Sequence, residues 1–291
     1  MASEVTKGAR LRGLLEARRA VLAPGAANAL TARLIADAGF ETVYVTGAGI
    51  ANTRLGLPDI GLVTLSELAD TVTTIAEICD LPLVVDADTG FGNPLNMVRT
   101  VRTLERAGAN AIQVEDQVFP KRCGHFSGQE VIPTGEMVAK VKAAVDTRTS
   151  RDFLIIARTD ARSVQGLAAA LDRAGAYIEA GADATFVEAP ESRDELAQIA
   201  RTLSVPQLAN MVFGGRTPAL SQAELAGLGF GLVLYANAAL QAAVKAMQEV
   251  LSALKADGGL DRVGDRLASF AERQRVVNKP AWDALEKRYR T

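Results

Sequence analysis

Short apolar segments recur along the chain, and helical stretches separate most of them. The apolar segments lack the strict alternation of a half-exposed strand, which is typical of parallel strands that are buried on both faces. Eight strands are predicted, at 21–25, 42–45, 83–85, 111–114, 153–157, 185–187, 207–209 and 231–234. Helices are predicted at 11–19, 28–38, 69–78, 95–107, 135–146, 166–180, 193–203 and 238–254, with Ser66 as the N-cap residue of the third.

The repeated order of strand, helix and parallel strand predicts an α/β fold, a closed (β/α)8 TIM barrel with an extra N-terminal helix. An open doubly wound sheet is the alternative. That fold should carry a G-x-G-x-x-G fingerprint after its first strand, and Gly47-Ala48-Gly49 lacks the third glycine. Without a linker or low-complexity segment, residues 1–291 are predicted to form one domain, with 261–291 as a helical extension.

The composition narrows the class of protein. A net charge of -2 gives no reason to expect a nucleic-acid partner, and no apolar run approaches the ~20 residues of a membrane-spanning helix. The two cysteines, Cys79 and Cys123, cannot form a disulfide framework. These features predict a cytoplasmic protein whose partner is a small molecule.

Polar residues follow the predicted strands at their carboxyl ends. Each one alone could be a loop residue with local hydrogen bonds. Closing the barrel would bring all of them to one mouth, where the active sites of this fold lie. The residues are Thr46, Asp86, Asp88, Glu115, Arg158, Glu188, Asn210 and Tyr235.

Acidic residues dominate this predicted mouth. Asp86, Asp88 and Glu115, together with Asp59 from a nearby loop, offer hard oxygen ligands, whose mutual repulsion a cation would relieve. Carboxylates and water suit Mg²⁺, with Mn²⁺ as a substitute. The alternative is a hydrogen-bonded acidic mouth without metal. Arg158 suits bidentate capture of a substrate carboxylate, and the N–H groups of Gly47 and Ala48 could hold the same group.

A loop after the fourth strand holds Lys121, Arg122, Cys123 and the single histidine, His125. Neighbouring cations favour a thiolate, so Cys123 could donate a proton or act as a nucleophile. The alternative is a small loop residue among solvated charges. No G-x-S-x-G elbow indicates a serine hydrolase.

Together these motifs resemble the isocitrate lyase / phosphoenolpyruvate mutase superfamily, in its 2-methylisocitrate lyase / 2,3-dimethylmalate lyase-like branch. The resemblance extends from Val21 to about Lys279, and the Lys-Arg-Cys-Gly-His loop is specific to the carbon–carbon lyases. The matching motifs are Val45-Thr46-Gly47, Leu57-Pro58-Asp59, Val85-Asp86-Ala87-Asp88-Thr89-Gly90-Phe91-Gly92, Val114-Glu115-Asp116, Lys121-Arg122-Cys123-Gly124-His125, Arg158-Thr159-Asp160 and Val187-Glu188-Ala189.

The resemblance implies Mg²⁺-dependent retro-aldol cleavage of a 2-hydroxy di- or tricarboxylate to a 2-oxo acid and a carboxylic acid. It implies that Asp59, Asp86, Asp88 and Glu115 surround the metal, directly or through water. Cys123 would protonate the enolate, while Tyr44 would help the 2-hydroxyl to lose its proton. Catalytic roles are also expected for Glu115, Lys121, His125 and Arg158. Substrate contacts are expected from Thr46, Gly47, Ala48, Arg122, Gly124, Arg158, Glu188, Asn210 and Tyr235. The resemblance further implies a homotetramer that exchanges C-terminal helices between subunits.

Two positions depart from the superfamily pattern. Thr46 stands where many relatives have serine, which is a mild change. Phe126 stands where 2-methylisocitrate lyases tend to have arginine, which favours a smaller, more apolar substrate such as an alkylated malate. Oxaloacetate hydrolase, decarboxylase or phosphonate-forming mutase activity is the alternative within the superfamily, and a non-catalytic carboxylate-binding barrel is the alternative outside it.

Overall fold

Eight parallel strands close into a barrel in the order of the sequence in the computed structural model, which describes residues 5–122 and 128–290. This confirms the predicted TIM barrel and excludes the open sheet. The strands are β1 (Val21–Ala26), β2 (Val43–Val45), β3 (Leu83–Asp86), β4 (Ala111–Glu115), β5 (Leu154–Thr159), β6 (Ala184–Val187), β7 (Gln207–Asn210) and β8 (Leu232–Tyr235).

Helices surround the barrel and fill the connections between its strands. The described α-helices are α1 (Lys7–Glu16), α2 (Ala29–Asp37), α3 (Gly47–Ile50), α4 (Leu65–Ala76), α5 (Pro94–Arg106), α6 (Thr134–Thr147), α7 (Ala161–Gln165), α8 (Leu167–Glu179), α9 (Arg193–Thr202), α10 (Gln222–Leu228), α11 (Ala238–Asp257), α12 (Phe270–Val276) and α13 (Lys279–Tyr289). A π-helix at Ala51–Leu55 continues α3, and a 3₁₀-helix spans Gly264–Arg266.

The barrel strands are buried on both faces, which explains why their sequences do not alternate. Inside, Tyr44, Ile156 and Phe186 belong to one cluster of buried side chains. Outside, Val43, Val85 and other strand residues pack against the helices. Strand β1 also passes close to the end of β8. A β-carbon on Gly25 would lie 1.8 Å from the Ala236 carbonyl oxygen, so this close approach requires glycine.

The starts of helices α4 and α10 show what the sequence predictions missed. Thr64, and not Ser66, caps α4: its Oγ1 accepts from Glu67 N at 3.3 Å, and Glu67 Oε2 accepts from Thr64 N at 2.9 Å. This reciprocal capping box satisfies two backbone N–H donors at once, so it defines the start of the helix. Helix α10 was not predicted, although Ser221 and Glu224 form the same S-x-x-E box at its start.

The C-terminal extension is helical and largely exposed, as predicted. Helix α12 contacts the barrel at one ion pair, in which Arg275 Nη2 lies 2.7 Å from Asp37 Oδ2 at the end of α2. Large apolar side chains such as Phe270 and Trp282 remain exposed in this extension. None of the helices that the structure describes is long and apolar enough to span a membrane.

Candidate active site

The strand register brings two oppositely charged side chains together at the mouth of the barrel. Glu115 pairs with Arg158 across β4 and β5, and Arg158 Nε lies 3.5 Å from Glu115 Oε2. Both side chains are almost fully buried. Asp86 ends the neighbouring strand β3, so three adjacent strands deliver the charged residues that the sequence predicted there.

At this mouth lies a partly open space of about 70 Å³, here called the catalytic cavity. Most of the predicted site residues line it, and five further residues line it that were not predicted. The lining consists of Tyr44, Thr46, Ala48, Asp59, Asp86, Lys121, Arg122, Arg158, Phe186, Glu188, Asn210, Val212, Leu234, Ala236 and Asn237. Five of the eight predicted strand-end residues line the cavity, namely Thr46, Asp86, Arg158, Glu188 and Asn210. Asp88 and Glu115 do not line it but contact the lining residues Lys121 and Arg158.

Tyr235 occupies a different position from the one predicted. It lines a neighbouring apolar pocket of about 170 Å³, together with Met211, Phe213 and Leu220, and does not line the catalytic cavity. Val212 and Asn237 line both spaces and so lie between them. Tyr235 is the last residue of β8, and in a strand the side chains of successive residues point to opposite faces. Leu234 therefore faces the cavity in its place.

Lys121 is a buried cation among the predicted metal ligands. Its Nζ lies 2.5 Å from Asp59 Oδ1 and 2.8 Å from Asp88 Oδ1. Burial alone would lower the pKa of Lys121, but Asp88, Glu115, Asp86 and Asp59 outweigh it and hold this pKa well above its usual value. Lys121 therefore stays charged and joins the loop that follows β3 to the loop before α4.

The carboxylates at the mouth carry more negative charge than the protein neutralises. Burial raises the pKa of Asp88 to about 6, an effect that Lys121 opposes and Asp86 reinforces. Burial also raises the pKa of Glu115 well above its usual value, against the influence of Arg158. Glu115 Oε1 is buried and accepts no hydrogen bond from the described residues. An additional cation would relieve this excess of charge.

The donor set fits Mg²⁺ chemically, although it is not a complete protein cage. Among residues 5–122 and 128–290, no three acidic, histidine or cysteine side chains lie close enough to hold a metal by themselves. Mg²⁺ usually keeps several waters and takes only one or two protein carboxylates besides its substrate. Asp86 and Asp88, with the unpaired Glu115 oxygen nearby, therefore suit a partly hydrated ion that completes its coordination with substrate.

The loop that carries Asp88 adopts a demanding backbone conformation. Asp88 has a φ of 46°, in the left-handed region that non-glycine residues seldom occupy. Lys140, a buried residue of α6, donates from Nζ to the carbonyl oxygen of the next residue, Thr89, at 3.2 Å. Such strain persists where the surroundings fix the backbone, and it concentrates at functional sites.

Arg158 is held by contacts on three sides. Its Nε and Nη2 donate to Asp160 Oδ2 and Oδ1 at 3.0 and 2.8 Å, and its guanidinium lies 5.2 Å from the centre of the Phe186 ring. On a third side, Nη1 lies 3.7 Å from Glu188 Oε2. These carboxylates outweigh the effect of burial and raise the pKa of Arg158, which remains a cation that faces the cavity.

Tyr44 donates from its hydroxyl to Gln113 Oε1 at 2.9 Å, and Gln113 Nε2 lies 3.4 Å from Asp86 Oδ1. Burial raises the pKa of Tyr44 well above its usual value, and Asp86 adds to the effect. Tyr44 is therefore a phenol, not a phenolate, at ordinary pH. Gln113 was not predicted because a glutamine within an apolar strand carries no distinctive signal.

Thr46 begins the short helix α3, and its Oγ1 accepts from Gly49 N at 3.2 Å. The N–H groups of Gly47 and Ala48 thus lie in a first helical turn, where no intrahelical partner exists. A β-carbon on Gly47 would lie 3.2 Å from Asp86 Oδ2, so glycine lets this turn approach the acidic residues. Thr46 Oγ1 also lies 3.3 Å from Asn237 Oδ1, a cavity residue that sequence reasoning missed.

Cys123, Gly124, His125 and Phe126 lie outside the described residues. The roles that the sequence predicts for them remain predictions. The preceding residue, Arg122, lines the cavity, and Gln117 holds its main chain through bonds to Arg122 N and O at 2.9 and 2.8 Å. The chain therefore reaches the rim of the cavity at the residue before the thiol.

Curated relatives resemble this chain over almost their whole length. A 2,3-dimethylmalate lyase of Eubacterium barkeri is 46% identical over 283 residues, which cover 97% of this chain and 98% of the relative. A 2-methylisocitrate lyase of Aeropyrum pernix is 45% identical over 265 residues, which cover 91% of this chain and 85% of the relative.

Solved structures match the barrel closely. A crystal structure of 2,3-dimethylmalate lyase, a PEP mutase/isocitrate lyase superfamily member, superposes with a TM-score of 0.92 at 36% identity, covering 98% of this chain and 96% of that one. A phosphonopyruvate hydrolase in complex with oxalate and Mg²⁺ gives 0.88 at 34% identity, covering 98% and 99%. The phosphoenolpyruvate phosphomutase family model matches residues 11–255. With its barrel, its acidic mouth and these matches, the chain belongs to the phosphoenolpyruvate phosphomutase family.

Proposed function

We propose that the chain is a carbon–carbon lyase that cleaves an alkyl-substituted malate, such as 2,3-dimethylmalate, to a 2-oxo acid and a carboxylic acid. The observation that carries this proposal is the convergence of Arg158, Lys121 and the acidic residues on one cavity at the barrel mouth. The 46% identity to a 2,3-dimethylmalate lyase supports the reaction class. A carboxylate-binding protein without catalysis would not need this cluster of buried, mutually repelling groups.

The described walls of the cavity favour a dicarboxylate over a tricarboxylate. The cations that line it are Lys121, Arg122 and Arg158 among the residues described, and carboxylates of the protein already pair with Lys121 and Arg158. Phe186, Val212 and Leu234 supply apolar surface beside them. Alkyl groups would gain by contacting this surface, whereas a third carboxylate would lack a free cation.

In the proposed reaction, the 2-hydroxyl gives its proton to a carboxylate at the mouth. Glu115 suits this role, since its pKa is raised and its Oε1 is unpaired among the described residues. The bond between carbons 2 and 3 breaks. The electron pair of that bond moves to carbon 3 as an enolate, and carbon 2 becomes the carbonyl carbon of the 2-oxo acid. Mg²⁺, when bound, would stabilise the negative charge that develops on these oxygens. Asp86 and Asp88 would hold it, with Asp59 and Glu115 contributing directly or through water, as the resemblance implies.

The residues of the chain provide binding and proton transfer. Arg158 binds a substrate carboxylate through the guanidinium donors that Asp160 leaves available. The Tyr44 oxygen accepts a hydrogen bond from the 2-hydroxyl while its own O–H donates to Gln113 Oε1. Cys123 delivers the proton to carbon 3, with Lys121 and His125 supporting the thiol. Thr46, Gly47 and Ala48 complete the predicted carboxylate contacts.

A comparison of substrates tests this proposal. Purified protein with Mg²⁺ would be assayed with 2,3-dimethylmalate, 2-methylisocitrate, oxaloacetate and phosphonopyruvate, with pyruvate release or the matching product measured for each. We expect the highest kcat/KM for 2,3-dimethylmalate or another alkyl malate, and Arg158→Met serves as the inactive control. A strong preference for 2-methylisocitrate would overturn the substrate assignment, and turnover of only oxaloacetate or phosphonopyruvate would overturn the reaction class.

We also propose that the chain forms a homotetramer in which C-terminal helices are exchanged between subunits. Helix α11 leaves the apolar side chains of Val244, Met247, Leu251 and Leu254 exposed, and α12 and α13 expose Phe270 and Trp282. Contiguous exposed apolar surface of this kind favours a subunit interface. Light scattering would give the mass of the assembly and hence the number of subunits. Removal of residues 261–291 should lower that number. The cytoplasmic location predicted from the cysteine content stays a prediction.

A further inference from the structure

We propose that Asp160 is a positioning residue that fixes which edge of the Arg158 guanidinium meets the substrate, a role that rests on the proposed function. The two side chains form a two-pronged contact, with Arg158 Nε on Asp160 Oδ2 at 3.0 Å and Nη2 on Oδ1 at 2.8 Å. Both are buried, and Asp160 does not line the catalytic cavity. It can therefore act on a substrate only through Arg158.

The contact leaves a defined set of donors for the substrate. A guanidinium has five N–H bonds, and Asp160 takes one from Nε and one from Nη2. The remaining donors are the second one of Nη2 and those of Nη1, which also faces Glu188 Oε2 at 3.7 Å; together they form the end-on edge. That edge matches the two oxygens of a carboxylate. Without Asp160, the Nε edge would compete with it for the same ligand.

Phe186 and Asp160 constrain different movements of the guanidinium. The Phe186 ring, 5.2 Å from Arg158 Cζ, restrains the group from one face. The Asp160 carboxylate prevents rotation within the plane, because a bidentate contact has one favourable orientation. Together they fix the direction of the end-on edge before a ligand arrives.

Asp160 is itself fixed by a buried network behind the site. Its main-chain N–H donates to Asp116 Oδ1 at 3.0 Å. The other Asp116 oxygen accepts from Thr159 Oγ1 and Tyr177 OH, each at 2.7 Å. The Asp160 carbonyl oxygen accepts from Ser163 Oγ at 3.0 Å. These bonds join the ends of β4 and β5 to α8. They hold Asp160 at both its main-chain N–H and its carbonyl oxygen, and so fix the carboxylate that contacts Arg158.

A double-mutant cycle on ligand binding tests the proposal. Mg²⁺-dependent binding of oxalate would be measured by calorimetry for the wild type, Asp160→Asn, Arg158→Met and the double variant. Because a misdirected guanidinium would lose one of its two bonds to the carboxylate, we expect Asp160→Asn to weaken oxalate binding by at least about tenfold. In the Arg158→Met background the same change should have no further effect, because its route to the ligand is gone.

A matched control separates this role from a general loss of an ion pair. Glu195 makes the same two-pronged contact with Arg162, at 3.0 and 2.7 Å, away from the cavity. Glu195→Gln should leave oxalate affinity within about twofold of the wild type. With an active substrate, Asp160→Asn should raise KM by a larger factor than it lowers kcat, as expected for a binding group whose orientation is lost.

Unchanged oxalate affinity in Asp160→Asn would overturn the proposal, as would an equal loss in the Arg158→Met background. If Asp160→Asn does not fold, Asp160→Glu takes its place in the cycle, since it keeps the charge and moves the carboxylate by one methylene. Oxalate binding requires no bond cleavage, so the cycle can be read whether or not the chain cleaves 2,3-dimethylmalate. Failure of the lyase assay is thus distinguishable from failure of the Asp160 assignment.

Discussion

The Tyr44 hydroxyl donates a hydrogen bond to the Gln113 amide oxygen at 2.9 Å, inside the barrel. An amide accepts this bond but does not accept the proton itself at ordinary pH. Burial raises the pKa of Tyr44 further from the physiological range. The hydroxyl therefore presents its oxygen, as an acceptor, to whatever enters the catalytic cavity.

Replacing Tyr44 with phenylalanine should lower kcat for the alkyl malate by about 10²-fold, because the 2-hydroxyl loses a positioned acceptor. The rate would be measured at saturating substrate, and Tyr289→Phe, at an exposed position, serves as the control. Because the pKa of Tyr44 is raised, the pH–rate profile of the wild type should show no ionisation of this residue near neutral pH. An unchanged kcat in Tyr44→Phe would remove this residue from the reaction.

Metal binding should depend on pH through Asp88. Its pKa in the folded protein is about 6, above the ordinary 3.8, so ionising it costs stability of the metal-free protein as pH rises through this window. Mg²⁺ binding offsets that cost, whereas below the folded pKa it must displace a proton. We expect Mg²⁺ to raise Tm more at about pH 8 than at about pH 5.

The measurement is a thermal melt with and without Mg²⁺ at each pH. Asp88→Asn is the matched variant, since it removes the titrating group while retaining its shape, and its Mg²⁺-dependent increment should be small at both pH values. Chelation with EDTA should abolish turnover of the wild type, and Mg²⁺ should restore it. Equal Tm increments at the two pH values, or turnover that ignores EDTA, would contradict a metal held by these acidic residues.

The two cysteines allow the thiol that we propose as catalytic to be compared with a structural one. Cys123→Ser should lower kcat by about 10²-fold or more, since a hydroxyl is a much weaker acid than a thiol. Cys79 is buried in the core beyond α4, and Cys79→Ala should retain the rate. Steady-state assays on both variants decide the matter. If Cys123→Ser kept its activity, the proton donor would be another group.

The close approach of β1 to the residue after β8 provides a test of the fold. Gly25→Ala would push a β-carbon into the Ala236 carbonyl and should destabilise the protein by about 1–3 kcal/mol. Gly13 is an exposed residue of α1 with no neighbour within 4 Å of the added carbon. Gly13→Ala should therefore stabilise by about 0.5–1 kcal/mol. Denaturant unfolding should give changes of opposite sign in the free energy of unfolding of the two variants. Equal changes would refute the close approach.

Much of the architecture follows from short-range patterns in the sequence. The apolar segments predicted all eight strands because burial on both faces leaves a distinctive continuous run, as in Leu83–Asp86. The charged residues that follow these runs, such as Glu115 and Arg158, predicted the mouth because a closed barrel gathers strand ends. Ser66 was wrong as a cap because the reciprocal partner Glu67 selects Thr64.

Other features of the site depend on geometry that no local pattern reveals. Asn237 reaches the catalytic cavity and Tyr235 does not, because the end of β8 determines which side chain faces inward. Gln113 acts on Tyr44, which is distant in the sequence, and Asp160 acts on Arg158, two positions away. Both residue types are common in other settings. Their importance appears only when the strands are placed side by side.

The ion pairs of Lys121 have a consequence for the rate of ligand exchange. Lys121 stands two residues before Cys123, and its ammonium is inserted between Asp59 and Asp88 away from solvent. Any withdrawal of Lys121 from the cavity would have to separate these buried opposite charges. We therefore expect variants that loosen this anchor without losing the proton donor to exchange ligand faster.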